Sequence, residues 1–231
     1  MPFKVLTDLQ SKVLMALFDR GFGDEGYFLS GGTALSEFYL QHRYSDDLDF
    51  FTRKPDPLDK DFRKVQEILA SVGLTIDEQP ETDADFGRFF VYPEGQIENQ
   101  LKLEFIKDVA AQMDEPQTHE RIVMDSFEDI AVNKICAIYG REPPDLKDYC
   151  DLFFILKESR YTLDYLIGRA REKDAVFDGE DGTLVFATNL HRVQKLRKLP
   201  RMIKPLGLEE LRTFLVPMAE ELIQRLRPGQ Q

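Results

Sequence analysis

Apolar and polar positions follow two rhythms along this chain. Over residues 7–20 the apolar side chains recur at Leu9, Val13, Leu17 and Phe18, the spacing of an amphipathic helix. Thr7 can cap its start, and Gly21 and Gly23 end it. Tyr27–Ser30 reads as a short apolar strand. Thr33–His42 returns to helical spacing with Leu35, Phe38 and Tyr39 on one side, and Leu48–Thr52 is again a strand. Pro55 and Pro57 open a helix carrying Phe62, Val65, Ile68, Leu69 and Val72, which Gly73 stops. Leu74–Gln79 and Phe86–Tyr92 are strand-like. After the turn Pro93-Glu94-Gly95, the stretch Ile97–Lys107 sets Leu101, Leu103 and Phe105 against Lys102, Glu104 and Ile106, the alternation of a half-buried strand. This half predicts an α/β layer with a mixed sheet of four to five strands.

The second half keeps the helical rhythm. Ser126–Tyr139, Asp145–Glu158, Thr162–Lys173 and Leu208–Leu226 all read as helices, and Ser126 with Asp129 makes a capping-box start. Residues 108–125 are polar and weakly periodic, which predicts a connector. No internal repeat or low-complexity segment interrupts the pattern.

Composition narrows the class. The 231 residues are 42% hydrophobic, enough for one globular unit, or for a domain with a closely packed extension. No apolar run approaches the roughly 20 residues of a membrane span, and the N-terminus lacks the apolar region of a signal peptide. Cys136 and Cys150 are too few for a disulfide framework. These features predict a reducing, cytoplasmic setting. A formal net charge of -12 argues against a surface that grips nucleic acid everywhere, but leaves room for a local basic patch and suits a cationic small molecule.

The candidate chemistry is concentrated in residues 28–51. Asp47 and Asp49 stand two apart on a strand, so their side chains share a face. Two aligned carboxylates can hold Mg²⁺ ions for in-line displacement at phosphorus; solvated acids at a strand end have the same pattern. Upstream, Gly31 and Gly32 allow a ligand close to the backbone, and a helix starting at Thr33 offers exposed N–H groups to an anion. Ser30 and Thr33 add hydroxyls. An ordinary strand-to-helix turn would look similar, but the combination is more specific than its parts.

The run Gly31, Gly32, Thr33, Ala34, Leu35, followed by Arg43, Ser45, Asp47, Asp49 and Phe50, resembles the AbiEii/AbiGii group of nucleotidyltransferase-like toxins of type IV toxin–antitoxin systems, within the polymerase-β-like superfamily. The likeness continues to Lys134 on the fourth helical segment and to Asp148 with Asp151 on the fifth, where Lys147 replaces the usual arginine. It implies an α+β fold: a nucleotidyltransferase core with a mixed sheet flanked by helices over residues 1–125, then a helical domain over 126–231 contributing to the active-site cleft. It further implies a nucleoside triphosphate as substrate, bound by Ser30, Gly31, Gly32, Thr33, Arg43, Ser45 and Lys134. Mg²⁺, in a two-metal site, would be held by Asp47, Asp49 and a third acid, for which Glu104 is the candidate. Lys134 and Asp148 join Asp47, Asp49 and Glu104 as implied catalytic residues. An RNA acceptor, tRNA in related toxins, and a cognate antitoxin follow from the same resemblance.

Each assignment has a plainer counterpart. Glu104 and Lys102 can be a solvated face. Lys134 can lay its stem on the core, and Asp148 and Asp151 can be acids near a helix N-terminus. Arg43 can bind phosphate or pair with nearby acids, and Ser45 can bind phosphate or fix a turn. The basic run His191–Lys204 carries Arg192, Lys195, Arg197, Lys198, Arg201 and Lys204 with no acid; it can hold RNA phosphates or be a solvated helix face. The loop from Asp178 to Thr183, flanked by Phe177 and Phe186, receives no role. Two other functions stay open: the same transfer chemistry on an aminoglycoside-like cation, and a nucleotide-binding module without turnover.

Overall fold

The computed structural model describes residues 3–77 and 80–226. The chain forms two compact units. The first comprises residues up to Tyr39, Ser45–Val109 and Glu115–Ser126; the second comprises Leu40–Tyr44, Ala110–Asp114 and the chain from Phe127 onward.

The first unit begins with α1 (Asp8–Phe18), closed at its start by a reciprocal capping box between Thr7 and Gln10. β1 (Tyr27–Ser30) runs into α2 (Gly31–Ala34), which continues as a π-helix over Leu35–Leu40. The helical spacing read from Thr33 therefore starts two residues earlier, and the two glycines lie inside the first turn instead of before it. β2 (Asp47–Thr52), α3 (Asp59–Ser71), β3 (Leu74–Ile76), β4 (Glu81–Thr82), β5 (Phe86–Pro93), β6 (Leu101–Lys107), β7 (Gln117–His119) and β8 (Ile122–Met124) follow. The far end of the predicted Leu74–Gln79 strand lies outside the described residues.

All eight strands among the described residues belong to one sheet, in the order β3-β5-β6-β2-β1-β8-β7 with β4 on β5. It is mixed: β2 is antiparallel to β1 and parallel to β6, while β1 and β8 are parallel. Four to five strands were expected. The difference lies in β4, a two-residue piece, and in β7 and β8, which occupy the predicted connector. These strands of two or three residues are too short to impose a period on the sequence.

Alternation along β2 and β6 buries Leu48, Phe50, Leu103 and Phe105. Phe50 and Phe105 stack at 5.1 Å, Phe22 stacks on Tyr27 at 4.0 Å, and Phe62 and Phe89 meet edge-on at 5.1 Å. This aromatic layer fixes the register of the central strands, because a one-residue slip would turn it out to water.

The second unit is helical: α4 (Phe127–Gly140), α5 (Leu146–Glu158), α6 (Leu163–Lys173), α7 (Glu180–His191) and α8 (Leu208–Leu226). Asp145 and Thr162 cap α5 and α6. At the head of α4, the Asp129 carboxylate accepts hydrogen bonds from the backbone N–H groups of Met113 and Asp114 and pairs with Lys173 at 2.9 Å. It thus fastens the Ala110–Asp114 segment to α4. The unassigned loop opens α7. Gly182 is required there, since a Cβ would fall 1.9 Å from the Val176 carbonyl oxygen. The basic run is not the helix face offered as one reading of it. After a short 3₁₀ turn over Arg192–Lys195 it is extended, and Met202 bridges Arg43 with bonds from Tyr44 N to Arg201 O and from Ile203 N to His42 O. Pro200 and Pro205 exclude helix there, and pairing to residues 42–44 satisfies the backbone instead. No helix among the described residues is long and apolar enough to cross a membrane.

Candidate active site

The strand register gathers the acidic residues of the first unit. Asp47 lies opposite Lys102, and Asp49 lies between Ser30 on one side and Glu104 on the other. Glu104 in turn faces Arg88, and Arg88 faces Glu81. Directly paired residues project to the same side of a sheet, so Asp47, Asp49, Lys102, Glu104 and Arg88 share one face. Leu48 and Phe50 anchor the other.

Gly31 makes the approach of Asp49 to the backbone possible. A Cβ at Gly31 would lie 2.3 Å from Asp49 Oδ2, and the residue has φ +70°, in the left-handed region. Both facts select glycine. The hydroxyls around this turn have definite partners. Ser30 Oγ donates to Asp125 Oδ2 at 2.8 Å, Thr33 Oγ1 to the Asp47 carbonyl at 2.5 Å, and Ser45 Oγ to Asp47 Oδ1 at 3.2 Å. Gln10 Nε2 donates to the Ser45 carbonyl at 2.8 Å. Ser45, Thr33 and Gln10 therefore set the start of β2, on which both aspartates ride.

Cations crowd Glu104. Its Oε1 accepts from Arg88 Nε at 2.8 Å, and its Oε2 lies 3.0 Å from Lys102 Nζ. Lys102 Nζ is also 3.5 Å from Asp47 Oδ2. Partial burial alone would raise the Glu104 pKa, but Arg88 and Lys102 outweigh it and hold the carboxyl below its usual range. Burial opposes the charged Lys102, yet Glu104 and Asp47 hold its pKa above the usual lysine value.

In the second unit, Asp151 is fully buried and takes three partners. Arg43 forks onto it with Nε at 2.6 Å and Nη2 at 2.8 Å, His42 Nε2 is 2.7 Å away, and Lys134 Nζ is 2.8 Å away. Lys134 also lies 2.8 Å from Asp148 Oδ1, whose other oxygen accepts from Arg141 at 2.5 Å. The remaining Arg43 nitrogen donates to the Tyr44 carbonyl. The guanidinium, only 1% exposed, has every nitrogen engaged in an internal bond. Desolvation would raise the Asp151 pKa, but Lys134 and Arg43 hold it well below the usual carboxylate range. Desolvation likewise works against Lys134, and Asp151 and Asp148 reverse that. Burial, then Asp151, pushes the Cys150 thiol up to about 12, which leaves it protonated and poorly nucleophilic at neutral pH.

The structure therefore gathers Gly31, Ser30, Thr33, Ser45, Asp47, Asp49 and Glu104 in the first unit, and Arg43, Lys134 and Asp148 in the second. Sequence reasoning passed over Arg88, Asp125 and His42. Arg88 and Asp125 become visible only through strand pairing, whereas His42 sits beside Arg43 and could have been read as its companion.

Among the described residues, no cluster of three or more histidine, cysteine, aspartate or glutamate side chains is arranged to hold a metal ion. Asp47 and Asp49 nevertheless supply hard oxygen donors on one half-exposed strand face. That donor chemistry fits Mg²⁺, which takes one or two carboxylates and fills its shell with water and phosphate.

A family model for the AbiEii nucleotidyl transferase toxins of type IV toxin–antitoxin systems matches residues 12–227. The chain belongs to this family. The AbiEii chain is accordingly a nucleotidyltransferase of the toxin class, and the family implies a nucleoside triphosphate substrate and a cognate antitoxin. Its fold resembles that of a candidate nucleotidyltransferase from H. pylori, with a TM-score of 0.61, 23% identity and coverage of 96% of this chain and 97% of that one. The protein JHP933 from Helicobacter pylori aligns with a TM-score of 0.57 at 25% identity, over 94% of this chain and 90% of that one. The nucleotidyltransferase toxin MenT4 from Mycobacterium tuberculosis aligns with a TM-score of 0.54 at 14% identity, over 96% and 84%. These likenesses agree with an α+β nucleotidyltransferase fold. No curated protein matches the AbiEii chain in sequence.

Proposed function

We propose that this AbiEii-family enzyme transfers a nucleoside monophosphate from a nucleoside triphosphate to a hydroxyl of an RNA, with tRNA as the favoured acceptor, in a Mg²⁺-dependent reaction. The observation that carries the reading is the pairing of Asp47 and Asp49 on one face of β2, with Asp49 packed against Gly31. The triphosphate lies over Gly31–Thr33, where the missing side chain of Gly31 lets the Asp49 carboxylate approach the turn. Asp47 and Asp49 would hold a Mg²⁺ ion, whose chemistry would be to neutralise charge developing on the phosphates. Ser45 and Thr33 keep β2 in place. The acceptor hydroxyl oxygen forms a bond to the α-phosphorus and gives up its proton to water, the bond to the bridging oxygen breaks, and pyrophosphate leaves with that electron pair. For Lys134 and Asp148 the proposal is narrower: Asp148 fixes the ammonium of Lys134, a cation suited to phosphate.

A second acceptor class has one observation in its favour. The net charge of -12 would draw a cationic small molecule such as an aminoglycoside. An assay with α-labelled triphosphates, total tRNA and an aminoglycoside in parallel separates the two. Label on RNA that chelation of the metal abolishes supports the proposal. Label on the aminoglycoside alone replaces the acceptor, and metal-independent transfer overturns the assignment of Asp47 and Asp49.

A further inference from the structure

The carboxylate face carries more positive charge than a simple metal site requires. Asp47, Asp49 and Glu104 are three acids, and Arg88 and Lys102 are two cations set among them by strand register. Arg88 is fastened on both sides, to Glu81 at 2.8 Å and to Glu104 at 2.8 Å. Lys102 is held differently. It sits on the same strand as Glu104, two residues away, and bridges Glu104 at 3.0 Å and Asp47 at 3.5 Å with a third of its side chain exposed. Its flexible four-carbon stem lets the ammonium swing without disturbing the strand.

We infer that Lys102 is a resident cation of this site, which holds Asp47 while no metal is bound and must yield it when a divalent ion arrives. The inference rests on the reading of Asp47 and Asp49 as metal holders. With both its oxygens on Arg88 and Lys102, Glu104 serves as the anchor for that cation and not as a free third ligand. Three carboxylates on one face repel each other, and Lys102 relieves this repulsion at the cost of competing with the metal. It is a positioning residue: it sets the metal concentration at which the site loads.

Titration calorimetry of Mn²⁺ into the full chain without nucleotide tests this. Lys102→Met should bind Mn²⁺ about tenfold more tightly than the unaltered protein, an order of magnitude reasonable for one half-exposed charge a few ångströms from the ion. Lys102→Arg, which keeps the charge, should stay at the starting affinity. Lys102→Gln serves as a second neutral variant should the methionine not fold, with thermal melts recorded for each. A lysine with a merely structural role would leave Mn²⁺ affinity unchanged or weaken it, and either result overturns the inference while leaving the metal reading intact. If the unaltered protein shows no saturable Mn²⁺ binding that Asp49→Asn removes, the metal reading fails and this inference falls with it.

Discussion

On the sheet, Asp47, Asp49, Lys102 and Glu104 stay partly open to solvent, whereas His42, Arg43, Asp148 and Asp151 in the helical unit are each at most 1% exposed. Both groups are networks of opposite charges at hydrogen-bond distance. They differ in what a ligand could change. A half-exposed carboxylate can trade a lysine for a metal ion at little desolvation cost. A buried one has already lost its water, and removing a partner leaves an uncompensated charge. On the proposed reading, the same residue types would serve as exchangeable ligands in one unit, while in the other they are internal rivets.

The sharpest way to break this contrast is at Asp49. Asn there should reduce transfer on the order of 10³-fold or more, as befits loss of several kcal/mol of charge stabilisation, with little change in the thermal melt. Retained activity would sink the metal assignment. Asp151→Asn should do the opposite in kind, costing about 3–5 kcal/mol in denaturant unfolding because Arg43 and Lys134 lose their shared anion. The pH dependence carries a sign. The folded-state pKa of Asp151 lies below its ordinary value of 3.8, so its stabilisation is present above that value and is lost as pH falls towards the lower one. Acid unfolding of Asp151→Asn should lack this component. Gly31→Ala adds a Cβ against Asp49 at a left-handed position. It should cost about 1–3 kcal/mol and lower turnover, which paired melts and assays would show. At the small end, the pair Arg192–Glu142 is solvent-exposed. Arg192→Ala should shift stability by less than about 1 kcal/mol, and a larger shift would show that surface pairs here are also rivets.

Legibility in the sequence followed the same division. The helices α1, α5 and α6 were readable because caps and apolar spacing coincide, as at Thr7, Asp145 and Thr162, and α8 from its apolar spacing alone. Strands β2 and β6 were readable from alternation. What could not be read was pairing. Nothing in the local pattern sets Arg88 beside Glu104, or places residues 201–203 along residues 42–44, because those contacts join segments 16 and about 160 positions apart. The family pattern grouped Arg43 with Ser45, Asp47 and Asp49. The fold buries Arg43 on Asp151 and leaves the aspartates on the sheet.

The five residues Leu40–Tyr44 belong to the helical unit although sheet-unit chain lies on both sides of them. A fragment cut at the apparent boundary, residues 127–231, would therefore be missing two of the buried partners of Asp151, His42 and Arg43. Asp151 would face its interior with only Lys134 for company. Neither half of this toxin can be lifted out of the gene as one uninterrupted piece, so dissection by truncation would yield misfolded fragments where dissection by point substitution would not.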